Sequence, residues 1–351
     1  MIGMPARNRF LSLSILVFLF ISSSGRSQQA TSFFRHFKVK PDSSYISDYT
    51  HLLTGRFFIL FQDAEIMSNP GNIEKIIYRP NVNFRIGVAG FYKWIGLGLS
   101  MENFFSVLDE QTYGSTSSLD LRVNAFGRRI AGEAFFQKYT GFYIRTPKKD
   151  DGSYYLIPDM STFSLGLSGY WIYNPEHFSI RAAFIQTERQ KKSAGSLLVR
   201  PSFLYYRISS DQGIIPEELI RQYNIPGSKL VTSGEFYSLG LSPGYNYTWV
   251  FLQNFYISGT IFSGVAAQFY TFKNATNTWY DFEFSFKLGG RIVAGYNSDV
   301  WFIGGAIQTA FNQIPDRLSN TLFDYDVSQV RIWVGTRFNL FKKKKNGTFV
   351  P

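Results

Sequence analysis

The sequence predicts an all-β fold: a closed antiparallel transmembrane β-barrel of about twelve strands, with fourteen as the other even count. Three observations carry this. Apolar and polar residues alternate at period two over segments well beyond the roughly 5 to 6 residues of an ordinary strand. The apolar face of those segments is rich in the 36 Phe, 22 Tyr and 6 Trp of the 351-residue chain. The opposite face carries charges and glycines, as a polar lumen would.

The N-terminus reads as an export signal. Arg7 and Arg9 precede an apolar run, FLSLSILVFLFI at residues 10–21, and a polar stretch follows; this is the three-part secretory pattern. As a helix, a run of that length spans only about 18 Å, too short to anchor the chain in a ~30 Å hydrocarbon core. Gly25 and Ser27 place small residues for cleavage before Gln28. The expected organisation is a signal peptide at 1–27, a periplasmic N-terminal segment at 28–50, an outer-membrane barrel at 51–341 and a basic periplasmic tail at 342–351.

Composition excludes several classes. Zero cysteine removes disulfide scaffolds, thiolate zinc sites and cysteine nucleophiles. The net charge of +11 is concentrated at the ends: removing the acid-free 1–27 segment with Arg7, Arg9 and Arg26, and the run Lys342, Lys343, Lys344, Lys345, leaves about +4 for the body. That argues against nucleic acid as a partner.

One stretch needs a choice between helix and strand. No charged residue lies between Phe236 and Phe272, yet Leu239, Leu241 and Pro243 alternate with Gly240, Ser242 and Gly244. Phe255, Ile257, Ile261 and Val265 alternate with Tyr256, Ser258, Thr260 and Gly264 in the same way. The period is that of two strands joined by a turn within 247–254. The alternation recurs in Val82, Phe84, Ile86 and Val88 against Asn81, Asn83, Arg85 and Gly87. It recurs again in Leu119, Leu121 and Val123 against Asp120, Arg122 and Asn124, and in Phe282, Phe284 and Phe286 against Asp281, Glu283 and Ser285. A soluble sandwich would also alternate, but with shorter strands. Because lipid offers no partner to an open sheet edge, an exported spanning sheet has to close.

The candidate strands are 52–66, 75–91, 94–105, 117–127, 130–145, 160–173, 178–190, 196–209, 232–248, 254–272, 279–296, 300–312 and 325–341. Thirteen is odd, and a single-chain bacterial barrel has an even number. Counting inward from either end makes 178–190 and 196–209 run the same way, so one segment between 178 and 209 does not cross, leaving twelve. The loop at 210–231 reads as briefly helical: Pro216 suits a first turn, Glu217 and Glu218 suit the N-terminal dipole, and Ile215, Leu219 and Tyr223 share a face.

Gly335, Phe338 and Leu340 in the last strand have the Gly-x-x-apolar-x-apolar spacing that resembles the recognition signal for barrel-assembly machinery, although residues 342–351 follow it. Asp42-Ser43-Ser44-Tyr45-Ile46, Arg79-Pro80-Asn81 and Glu188-Arg189-Gln190-Lys191-Lys192-Ser193-Ala194-Gly195-Ser196 together resemble an uncharacterised domain-of-unknown-function family of exported barrels from the Bacteroidetes lineage. That resemblance implies an outer-membrane location over about residues 40–341, and it brings no activity.

Chemistry is sparse. His36, His51 and His177 form no ligand pair, and Gly166-Leu167-Ser168-Gly169 lacks the second glycine of a nucleophile elbow. No catalytic, cofactor-binding or metal-binding residue is assigned, and no cofactor is expected. Asp281 and Glu283 lie two apart on one strand face, close enough for acid–base work. They are read instead as members of a lumen charge cluster with Arg85, Asp120, Arg122, Lys287, Arg331 and Arg337, because carboxylates inside a small barrel pair with cations. The sequence therefore reads as a non-enzymatic, porin-like barrel in contact with outer-membrane lipid. Its role is a narrow conduit or a structural barrel, with a surface lipid or peptide enzyme, or a loop-based binding protein, as alternatives.

Overall fold

The computed structural model describes residues 39–68, 75–82, 84–101, 109–225, 231–274, 276–314 and 323–339. Residues 1–27, expected to be a signal peptide, and His36, Asn83, Leu340 and the lysine run at 342–345 lie outside them.

Fifteen strands and three short helices are described. In chain order they are β1 (Ile46–Asp48), β2 (Leu53–Ser68), β3 (Ile76–Arg79), β4 (Arg85–Tyr92), β5 (Ile95–Met101), α1 (Glu110–Tyr113), β6 (Ser117–Phe126), β7 (Ile130–Thr146) and β8 (Tyr155–Ile172). They continue with α2 (Ile180–Phe184), β9 (Glu188–Gln190), β10 (Ala194–Ser209), α3 (Glu217–Gln222), β11 (Ser233–Phe251), β12 (Phe255–Lys273), β13 (Thr278–Asn297), β14 (Trp301–Ile314) and β15 (Phe323–Phe338). Twelve of the strands (β2, β4 to β8 and β10 to β15) form an antiparallel barrel that β15 closes against β2. The seam runs in unbroken register from Phe338 opposite Leu53 to Phe323 opposite Ser68.

Alternation decides what faces out. Leu239, Leu241, Val265, Phe284, Phe286 and Ile292 are exposed on the wall, while Ser238, Ser242, Ser285 and Val293 are buried. Exposed aliphatic and aromatic side chains from eleven of the twelve barrel strands make an apolar exterior, the surface of a transmembrane barrel; on β7 the exposed side chains are Lys138 and Arg145. Gly335 sits at the seam, where a Cβ would lie 2.2 Å from the Phe302 ring and 2.4 Å from the Gly55 carbonyl oxygen. Its glycine is required by packing at the closure.

Two expectations are corrected. The segment 178–190 does not cross the wall. Its alternation of Phe178, Ile180, Ala182 and Phe184 mimics a strand, but Arg181 and Ala183 are buried as well, because the segment lies inside the barrel. There it forms α2, capped by Ser179, and β9, which pairs with β1 in a separate two-stranded sheet. The twelve-strand count follows from this.

The stretch 75–91 is likewise two strands. Pro80 has no amide to give a ladder, and the chain breaks there. β3 then pairs with the last residues of β2 and, beyond a bulge at Gly141, with the end of β7. Gly141 has φ +90°, and a Cβ on it would collide with the Ser115 carbonyl. Where β4 to β6 stop, β3 alone spans between β2 and β7, so the ring narrows from twelve strands to ten.

The helical expectation for 210–231 holds: α3 begins after Pro216, and Ile215 and Leu219 are buried.

The facing assignment has a direct consequence. Phe286→Arg should cost about 2–4 kcal/mol if it lies near the bilayer midplane. Lys287→Arg, one residue on and facing inward, should be nearly neutral. Urea unfolding midpoints of the two variants in lipid would test this, and equal losses would reverse the assignment.

Candidate functional site

The lumen holds the chemistry of this chain, and it is built in three storeys. At the end with the short turns, residues 173–193 fold inward from β8 and return to β10. The carboxylate of Glu188, 1 % exposed, organises this plug. Its Oε1 lies 2.9 Å from Arg181 Nη1 and 2.9 Å from Arg128 Nη2, and its Oε2 accepts from Ser179 Oγ at 2.5 Å. Burial pulls the Arg128 guanidinium, on the β6–β7 turn, below its usual range, and Glu188 offsets this only in part.

The barrel wall grips the plug backbone. Arg56 Nη1 donates to the Phe184 carbonyl at 3.0 Å. Arg337 Nε donates to the Gln186 carbonyl at 3.1 Å, and its Nη1 to Ser298 O at 2.5 Å. Asn297 Nδ2 donates to the Glu188 carbonyl at 3.0 Å. Gln186, at φ +56°, turns the chain between α2 and β9 and donates to Ala183 O at 2.7 Å. Phe178, Ile180 and Phe184 pack against Phe126, Tyr256 and Phe302 of the wall. The N-terminal segment is tied in through β1, through Asp42 N on the Glu176 carbonyl, and through Tyr49 O–H on Asp299. That contact and burial raise the Tyr49 pKa above its ordinary value, burial being the larger cause.

At the opposite end, residues 210–225 and 231–232 close over the mouth. Asp159 Oδ2 accepts Ser210 Oγ at 2.8 Å and Asp211 N at 2.7 Å. Ile214, Ile215, Leu219, Ile225 and Val231 join inward-facing apolar residues of seven strands, among them Ile66, Tyr78, Ile144, Ile157, Ile208, Phe236 and Tyr270. Burying each aliphatic lid side chain is worth roughly 1.5–3 kcal/mol as an upper figure.

Between plug and lid lies a chamber of about 190 Å³ floored by Ala183, Phe184 and Ile185. Its walls carry Arg56, Arg122, Arg200, Lys287, Arg291 and Arg331, and one carboxylate, Glu133. Glu133 accepts from Tyr170 O–H at 2.7 Å and lies 3.5 Å from Arg291 Nη1.

The eight charges singled out from sequence fall into four places. Arg85, Asp120 and Arg122 meet: Asp120 lies 3.3 Å from Arg85 Nη2 and 3.0 Å from Arg122 Nε, with Gln137 donating to it at 2.5 Å. Lys287 and Arg331 line the chamber. Arg337 holds the plug. Asp281 and Glu283 sit nearer the lid end, each 3.4 Å from the Tyr270 hydroxyl. Glu283 and Lys287 are four residues apart on one strand, about 13 Å along it, too far to pair directly.

Sequence reasoning missed Glu188, Arg128, Arg181, Arg56, Arg200 and Arg291. The signal available for Glu188 and Arg181 was the parity count, which marked 178–209 as anomalous, together with the charges that this segment carries.

A closed barrel with an apolar exterior and a filled polar lumen is a transmembrane β-barrel. The chain belongs to the family described as Domain of unknown function (DUF4421), whose pattern matches residues 40–338. Among curated proteins none matches. Solved structures with a similar trace include the outer membrane protease OmpT from Escherichia coli, at 8 % identity and TM-score 0.33 over 83 % of this chain and 97 % of that one. Another is the translocator domain of the autotransporter NalP from Neisseria meningitidis, at 13 % identity and TM-score 0.41 over 81 % and 88 %. A third is the toluene transporter TodX of P. putida, at 8 % identity and TM-score 0.29 over 85 % and 94 %.

Glu188 is the residue on which the plug should depend. Glu188→Gln leaves Arg128 and Arg181 facing each other without their anion, and breaking such a buried pair costs about 3–5 kcal/mol. Hydrogen exchange of residues 178–190 should speed up accordingly, and the double variant Glu188→Gln/Arg181→Gln should be milder. Unchanged protection in Glu188→Gln would show that the apolar contacts alone hold the plug.

Proposed function

We propose that this protein is a non-enzymatic outer-membrane barrel acting as a gated conduit, closed at rest by its own β8–β10 connection and by the lid at 210–225 and 231–232. The observation that carries this is the inward fold of residues 173–193. A barrel with a merely structural role needs no such segment, since short turns connect its other strands at that end. The plug is also built to be held by polar contacts to the wall. Contacts to charged groups exchange for water at a net cost of about 1.5–3 kcal/mol each, and none of them belongs to the β ladder, so the segment can leave without breaking the wall. The side of short turns is the periplasmic side in this reading, so plug, N-terminus and C-terminal tail all face the periplasm. The export signal, the lipid-facing belt and the terminal strand offered to barrel-assembly machinery fit the same location.

Two experiments test the reading. In planar bilayers the intact protein should be silent. A variant with 177–191 replaced by a short Gly/Ser turn and 211–230 shortened should give steady current. A doubly shortened barrel that folds, as judged by heat-modifiable migration, yet stays silent would overturn the conduit. Turnover of lipid or peptide by the intact protein would overturn the non-enzymatic assignment.

A cysteine placed at Gly347 should resist membrane-impermeant label in intact cells and react after the outer membrane is opened. Labelling from outside would invert the topology.

A further inference from the structure

The chamber contains more positive charge than the protein neutralises. Of its six cations, Arg291 is matched by Glu133, and Arg122 by Asp120 just beyond the lining. Arg56, Arg200, Lys287 and Arg331 have no carboxylate oxygen within 4.0 Å among the described residues. Arg56 spends its Nη1 on the plug carbonyl, and Arg200 donates to Ser168 Oγ at 2.9 Å. Lys287 has no hydrogen-bond partner among the described residues, and Arg331 lies over the Phe58 ring at 5.1 Å. The Nε atoms of Arg56, Arg200 and Arg331 are buried without a hydrogen-bond partner among the described residues.

Each of these facts is costly by itself. A buried donor without a partner, or a buried charge without a counter-charge, is the kind of feature a fold keeps only when something meets it. Water-filling alone would hydrate the donors and leave the charge uncompensated.

The geometry points to an oxyanion site: we propose that the chamber binds a phosphate or carboxylate group through Lys287 and Arg200, which line it from the same row of the sheet. This deepens, and rests on, the reading of the lumen as a closed compartment. The chamber volume, about 190 Å³, corresponds to about six waters at liquid density. That is room for one such group and part of its hydration, and too little for a folded peptide or an oligosaccharide. Planar guanidinium donors suit two oxygens of one anion, and Lys287 adds a point charge.

The wall beside the chamber allows the group to arrive in either of two forms, free or carried on an acyl chain. The β8–β10 ladder is interrupted between Val199–Trp171 and Ser202–Ser168, where Pro201 has no amide to donate. Outside that interruption lies an apolar groove of about 770 Å³ bordered by Gly169, Pro201, Leu241, Val265 and Phe284. Glu133, Ala134, Leu167, Ser168, Ser202 and Phe203 border both the groove and the chamber. A single-chain amphiphile could set its head in the chamber and its tail in this groove.

The full chain, purified in non-ionic detergent at constant ionic strength, is titrated calorimetrically with sodium phosphate, sodium acetate and dodecyl phosphate, with chloride as the control. Saturable binding at one site per chain is expected from at least one oxyanion probe. It should weaken tenfold or more in Lys287→Gln and in Arg200→Gln, and be largely kept in Lys287→Arg. Binding of phosphate or acetate identifies the free anion as sufficient. Binding of dodecyl phosphate alone identifies the chain-borne form, and Gly169→Leu should then weaken it.

Thermal unfolding guards against misfolded variants. Without ligand, Lys287→Gln should melt at or above the wild-type temperature, since it removes an uncompensated charge, and it should lose the ligand-induced rise. No saturable binding by any probe, or binding unchanged in both neutralised variants, overturns the proposal. Binding and current are read separately: a silent, doubly shortened barrel overturns the conduit and leaves the binding result standing.

Discussion

Everything in this molecule follows from the need to satisfy backbone hydrogen bonds where there is no water. An open sheet edge in hydrocarbon leaves a row of unpaired donors and acceptors, each costing several kcal/mol. The β15–β2 seam removes both edges at once, across sixteen paired positions from Leu53 to Ser68. Closure then creates an interior that must be filled. At the narrow end, where ten strands converge, apolar wall residues and the lid fill it together. At the twelve-strand end the β8–β10 connection is drawn inside and occupies the lumen.

The two closures differ in kind. The lid is held mainly by apolar burial, which is non-directional and tolerant, with a few polar ties such as Asp159 to Ser210 and Tyr155 to Gln222. The plug is held by guanidinium groups on carbonyl oxygens and by Glu188 between two arginines, which is directional and has few alternatives. A side chain such as Arg337 serves this second mode because one fork meets Gln186 O, Ser298 O and Asn297 together. The chamber between them holds Arg200, Arg331 and Lys287, which neither closure uses, beside Arg56 and Arg291, which touch the plug.

The barrel was legible in sequence because its signal is redundant: each strand repeats the same alternation, so Phe282, Phe284 and Phe286 predict their exposure from spacing alone. The parity of the strand count even located the anomaly. The plug was not legible, since Phe178, Ile180, Ala182 and Phe184 alternate as a strand does, and only three-dimensional enclosure buries Arg181 and Ala183 as well. Of the charges, the Arg85–Asp120–Arg122 group was recoverable because neighbouring positions on β6 carry Asp120 and Arg122. Of the cationic chamber, Arg122, Lys287 and Arg331 were legible as lumen charges, but Arg56, Arg200 and Arg291 were not, since they come from β2, β10 and β13 and nothing in local spacing relates them.

The seam also sets how the chain must acquire its shape. Leu53 pairs with Phe338, so the first barrel strand waits for the last before the ring exists. Pairings of such sequence separation are intrinsically slow, because chain entropy is lost before contacts repay it. Through that interval β2 and β15 each present a bare edge bordered by apolar side chains, the kind of surface that joins with neighbouring molecules. β1 and β9 meet only across some 140 residues of intervening chain, so the plug too is assembled late. A molecule of this design is most vulnerable during its own synthesis, and its survival then rests on how long those edges are kept apart from others like them.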